Sequence, residues 1–106
     1  MLSYTRRLAL AVVTPTPATV YTAPGPGPTV VRCVDVWNAS SAAAQLRMDV
    51  VIPGLTFAAL FQTPQIEPGQ SWQWQGREVL NEGDELEAVT NGGEWSLVST
   101  GYEFLS

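Results

Sequence analysis

Apolar and polar residues alternate one for one along several short stretches of this chain. Leu46, Met48 and Val50 fall on one side of an extended backbone, and Gln45, Arg47 and Asp49 on the other. Trp72 and Trp74 oppose Ser71, Gln73 and Gln75, and Leu86 and Ala88 oppose Glu85 and Glu87. A period of two is that of a β-strand with one wet face. Runs rich in Val, Thr, Trp and Tyr, cut by Gly, Pro and Asn, extend the reading to strands at 6–14, 18–22, 29–38, 44–51, 55–61, 71–75, 78–80, 85–90 and 94–104. In the last of these, Trp95 and Leu97 share one register while Val98, Tyr102 and Phe104 share the other. That phase change predicts a bulge near Gly101.

The punctuation agrees. Glu67-Pro68-Gly69-Gln70 places Pro second and Gly third, the order of a type II turn. Glu82-Gly83-Asp84 and Asn91-Gly92-Gly93 supply the positive φ of tight reversals. Pro24-Gly25-Pro26-Gly27-Pro28 lacks three of its five backbone N–H groups and reads as a stiff crossover loop. The Ala-rich stretch at 39–45 also reads as loop, because Asn38, Ser40 and Ser41 are turn formers. Eight Pro and nine Gly leave no room for a long helix. Eight to nine short antiparallel strands in one domain, 1–106, predict an all-β, two-sheet β-sandwich or jelly roll.

Composition narrows the chemistry. Of 106 residues only 14% are charged; five are basic, all of them Arg, against ten acids, for a net charge of −5. That balance argues against a nucleic-acid partner or an anionic membrane surface. No His is present, so Ser-His-Asp and Cys-His pairs and imidazole metal ligands are excluded. The single Cys, Cys33, allows neither an internal disulfide nor a thiolate zinc site, and reads as a buried structural thiol. Arg6 and Arg7 before 8–13 imitate a signal peptide, but six apolar residues fall short of the ~7–15 of such a core. A first strand, or an N-terminal arm over 1–14 that pairs with a neighbouring subunit, is the expectation for that segment.

Two clusters deserve a chemical reading. Glu82, Asp84, Glu85 and Glu87 lie close in sequence, but the spacing lacks the calcium-loop pattern, and a solvated strand face accounts for them. The four tryptophans, Trp37, Trp72, Trp74 and Trp95, allow either a core and interface role or a sugar-stacking platform formed by Trp72 and Trp74. With Leu8, Leu10 and Val12, these four make up the candidate interface residues. No catalytic, cofactor-binding or metal-ligating residue is expected, and so no cofactor and no enzyme.

The ordered string adds a resemblance. It runs Val20-Tyr21-Thr22-Ala23-Pro24, Val36-Trp37-Asn38-Ala39-Ser40, Ile66-Glu67-Pro68-Gly69-Gln70-Ser71-Trp72, Gly76-Arg77-Glu78-Val79-Leu80, Glu82-Gly83-Asp84 and Val98-Ser99-Thr100-Gly101-Tyr102. From about residue 18 onward this resembles small all-β virion proteins of tailed bacteriophages, particularly those of actinobacterial hosts. Thr100 and the long Pro-Gly loop depart from that pattern. The resemblance implies a non-enzymatic virion structural protein, first a minor tail protein and alternatively a capsid decoration protein. Its partners would be further copies of itself and other tail or major capsid proteins, and its location the virion. A carbohydrate-binding adhesin module is the competing expectation from another class.

Overall fold

A computed structural model describes residues 3–55 and 57–104. Eight strands follow one another: β1 (Ser3–Val13), β2 (Ala18–Thr22), β3 (Thr29–Asn38), β4 (Leu46–Val51), β5 (Phe57–Gln62), β6 (Ser71–Leu80), β7 (Glu85–Thr90) and β8 (Trp95–Phe104). The period-two stretches became strands, and β2, β3 and β7 match the sequence reading at both ends. The segments expected at 71–75 and 78–80 are one strand, β6, because Gly76 and Arg77 are absorbed as a bulge rather than a turn.

All pairings are antiparallel, and they form two sheets of four. Sheet A has the order β1-β8-β3-β6 and sheet B the order β2-β7-β4-β5. Successive strands from β1 to β6 change sheets except at β4–β5. This is the double Greek-key order of a jelly roll, so the all-β sandwich is the fold. The Pro-Gly stretch carries the chain from β2 in sheet B to β3 in sheet A, as its missing donors require.

The inner faces make one core. Val31, Val34, Val36, Trp95 and Leu97 from sheet A meet Leu46, Met48, Val50, Leu86 and Ala88 from sheet B. Trp95 and Leu97 are fully buried. Each such side chain removed from water contributes roughly 1.5–3 kcal/mol. The 67–70 turn is as expected: Gly69 has φ +78° and the Gln70 N–H donates to the Glu67 carbonyl at 3.1 Å.

The bulge is real but lies elsewhere. Along β8 the burial pattern alternates without a break, so Ser99, Gly101 and Glu103 continue the inward row begun by Trp95 and Leu97. The extra residues are on the neighbours: Leu8 in β1, Arg32 in β3, and the Gly76-Arg77 pair in β6. All three ladders of sheet A therefore shift register at one level. β3 changes phase there, with Val31 and Val34 both in the core. Gly101 sits on this line because a Cβ would run into the Val30 carbonyl oxygen and crowd Leu8.

β1 pairs with β8 of its own chain over ten positions, which corrects the expectation of an arm given to a neighbour. Met1 and Leu2 lie outside the described residues.

Candidate interaction surfaces

The outer face of sheet A can be read from its register as four rows. Val12, Ser96, Trp37 and Ser71 form the first, and Leu10, Val98, Asp35 and Gln73 the second. Arg7, Thr100, Cys33 and Gln75 form the third, beside the bulged Arg32 and Arg77. Tyr102, Val30 and Val79 form the fourth. Five large apolar side chains on this face stand in solvent: Leu10 and Val12 are each 64% exposed, Val79 47%, Trp37 45% and Tyr102 37%. Among the described residues, the other two exposed large apolar side chains, Ile52 and Leu55, lie in the β4–β5 turn. Trp37 is held in place, since its indole Nε1 donates to the Gly69 carbonyl at 2.9 Å.

The outer face of sheet B is acidic. Glu85 and Glu87 of β7 project there, with Asp49 directly across from Glu87. Asp49 is nearly buried and forms a 3.2 Å ion pair with Arg47, while its second oxygen finds no partner among the described residues.

The sequence-predicted interface residues divide. Leu10, Val12 and Trp37 lie on the outer face of sheet A. Leu8 is the bulged residue and packs partly against the core. Trp95 is wholly inside and leaves the interface set: its position opposite Val13 and Asn38 turns it inward. Trp72 and Trp74 also turn inward. They are half-buried, and Phe61 of β5 lies 5.1 Å from the first ring centroid and 6.3 Å from the second. These three rings close the side of the sandwich where edge strands β5 and β6 meet, so the pair does not present a flat sugar-stacking platform.

Three polar arrangements were not expected. At one end, Glu103 accepts from Arg6 Nη1 at 2.9 Å and from the Tyr21 hydroxyl at 2.5 Å, and that hydroxyl also meets Thr29 Oγ1 at 3.0 Å. This clasp joins β1, β3 and β8 of sheet A to β2 of sheet B. Burial, and then the bond to Glu103, push the Tyr21 phenol up to about 12. At the other end, fully buried Asn38 donates through Nδ2 to the carbonyls of Ala42 and Ile66. Its Oδ1 accepts from the Ser40 N–H and hydroxyl. Asp84, expected in a solvated face, is mostly buried and accepts from the Asn81 N–H at 2.9 Å. It shapes the turn before β7, whereas Glu85 and Glu87 stay on the outer face.

Cys33 is also corrected. After the β3 bulge it points outward and is partly exposed, in an open hollow with Arg32, Gln75, Gly76 and Arg77. Burial and the Asp35 carboxylate raise its pKa, opposite to what an activated thiol needs. Among the described residues, no group of three or more His, Cys, Asp or Glu is placed to hold a metal ion.

No protein-family profile and no curated protein matches the sequence. Solved structures share the fold. The chain is similar to "Crystal structure of PirA", with a TM-score of 0.51 and 15% identity, over 95% of this chain and 93% of that one. It is similar to a chain of "Structure of infectious bursal disease virus Gx strain", with a TM-score of 0.56 and 15% identity, over 95% of this chain but 31% of that one. These likenesses establish a shared jelly-roll fold.

Proposed function

We propose that this chain is a non-enzymatic structural component of a bacteriophage virion, in the first instance a small minor tail protein that assembles with neighbouring copies. The observation that carries the reading is the outer face of sheet A, where Leu10, Val12, Trp37, Val79 and Tyr102 stand in water on a rigid four-stranded scaffold. An apolar patch of this kind on a small domain marks a contact surface. Assembly contacts are rich in aromatic and aliphatic anchors of this sort. The fold is compatible with the reading, since a chain of a virus structure contains it, but PirA contains it too, and a fold does not by itself select a role. The resemblance of the turn and strand motifs to phage virion proteins supports the narrower assignment.

Gold-labelled antibody against the chain, applied to intact virions of the phage that encodes it, tests the proposal. Label confined to the tail is the expected result. Label spread over the head would replace the tail role with capsid decoration. Label on neither, with a working control antibody, would overturn the proposal.

A further inference from the structure

We infer that the outer face of sheet A is the contact surface of a two-fold symmetric dimer of this chain, an inference that rests on the assembly role proposed above and names its surface. Along β3 the rows on this face are self-complementary. A two-fold axis lying in the plane of contact and crossing the strands between the levels of Asp35 and Cys33 turns each copy end for end. The first row then faces the fourth, and the second faces the third. Trp37 is thereby laid on the apolar row of Tyr102, Val30 and Val79 of the other copy, twice over. Asp35 is laid over the level of Arg32 and Cys33, so opposite charges meet in two equivalent places.

Trp37 suits this role because its ring is already fixed by the bond to Gly69, so little freedom is lost on docking. The size also fits. Four strands spaced about 4.8 Å apart, each rising about 3.3 Å per residue over about ten residues, span about 600 Å². Two such faces bury about 1,200 Å² together, the lower edge of the range for specific contacts. Docking this face on sheet B of another copy would set Arg7, Arg32 and Arg77 against Glu85 and Glu87, and its signature is assembly beyond two copies. A closed two-fold contact also ends growth, whereas a head-to-tail contact propagates.

Sedimentation equilibrium of the whole chain over a range of concentrations tests the inference. A monomer–dimer equilibrium is expected. Trp37→Ala removes the anchor from both copies and weakens it about 100-fold, about tenfold for each. Arg32→Asp weakens it by a similar factor, and adding Asp35→Arg restores it, which mere unfolding would not do. All three positions are exposed, and circular dichroism checks that each variant is folded. A monomer at every concentration, assemblies larger than two, or a dimer indifferent to both Trp37→Ala and Arg32→Asp would overturn the inference. A dimer whose antibody labels no virion leaves this contact standing and removes the proposed function; a monomeric protein found on virions does the reverse.

Discussion

On the outside of sheet A, leucine, valine, tryptophan and tyrosine side chains stand exposed between Arg7, Arg32 and Arg77. On the outside of sheet B, Glu85 and Glu87 occupy the equivalent outward positions, beside the nearly buried Asp49. Both sheets have four strands and both bury one face in the same core. The core therefore constrains the inner rows of each sheet and leaves the outer rows to be set by what they meet. Carboxylates meet water at little cost. Leu10 and Val12 have no such justification as solvent-facing residues, and that is the ground for treating sheet A as the working surface.

The largest effect expected separates the inner from the outer face of sheet A. Trp95→Ala opens a cavity in the core and costs about 3–5 kcal/mol in chemical denaturation. Trp37→Ala, on the outer face of the same sheet, changes stability by less than about 1 kcal/mol. Equal losses would mean that the outer face also holds the fold together.

The next comparison sets the two outer faces against each other. Replacing Leu10 and Val12 together by Arg sets a cation at position 10 against Arg7 of the other copy and lowers self-association about 100-fold, without altering the unfolding midpoint by more than the scatter of surface changes. Glu85→Gln with Glu87→Gln on sheet B leaves self-association unchanged. Analytical ultracentrifugation reads both; a loss confined to the sheet B variant would invert the assignment.

The smallest effect concerns the clasp between the sheets. Tyr21 has its folded pKa raised from 10.0 to about 12, so the fold favours the protonated phenol. Its contribution is complete below pH 10 and disappears as pH rises from 10 to 12. Tyr21→Phe costs about 1 kcal/mol at neutral pH, the worth of a hydrogen bond, and removes that part of the alkaline loss. An identical alkaline profile in both proteins would show that the Tyr21 hydroxyl is not held by Glu103.

The strands were legible because a sheet with one buried face writes its period directly into the sequence. Leu46, Met48 and Val50, or Leu86 and Ala88, could point nowhere else. The bulge was legible only as an irregularity. Its true position, at Leu8, Arg32 and Gly76-Arg77, depends on which strands are neighbours, and the pattern of β8 alone assigned it to the wrong strand. Trp37 and Trp95 are both aromatic residues in valine-containing strands, and only the register shift at Arg32 decides that the first faces out. The clasp had no local signal, because Arg6, Tyr21 and Glu103 lie 97 and 82 positions apart along the chain. Asn38 carried a signal that was read too narrowly: its turn-forming character was recognised, but not that a buried amide can bind two loops at once.

Cys33 provides the most direct test of the outer face of sheet A. It is the chain's single thiol, and it lies in the third row of that face. Its rate of reaction with a bulky maleimide, measured on the folded protein at rising protein concentration, reports whether the face is covered. The account predicts that the rate falls as concentration rises, and that the fall vanishes when Leu10 and Val12 are replaced by Arg. A rate independent of concentration while the protein associates would place the contact elsewhere and contradict the account.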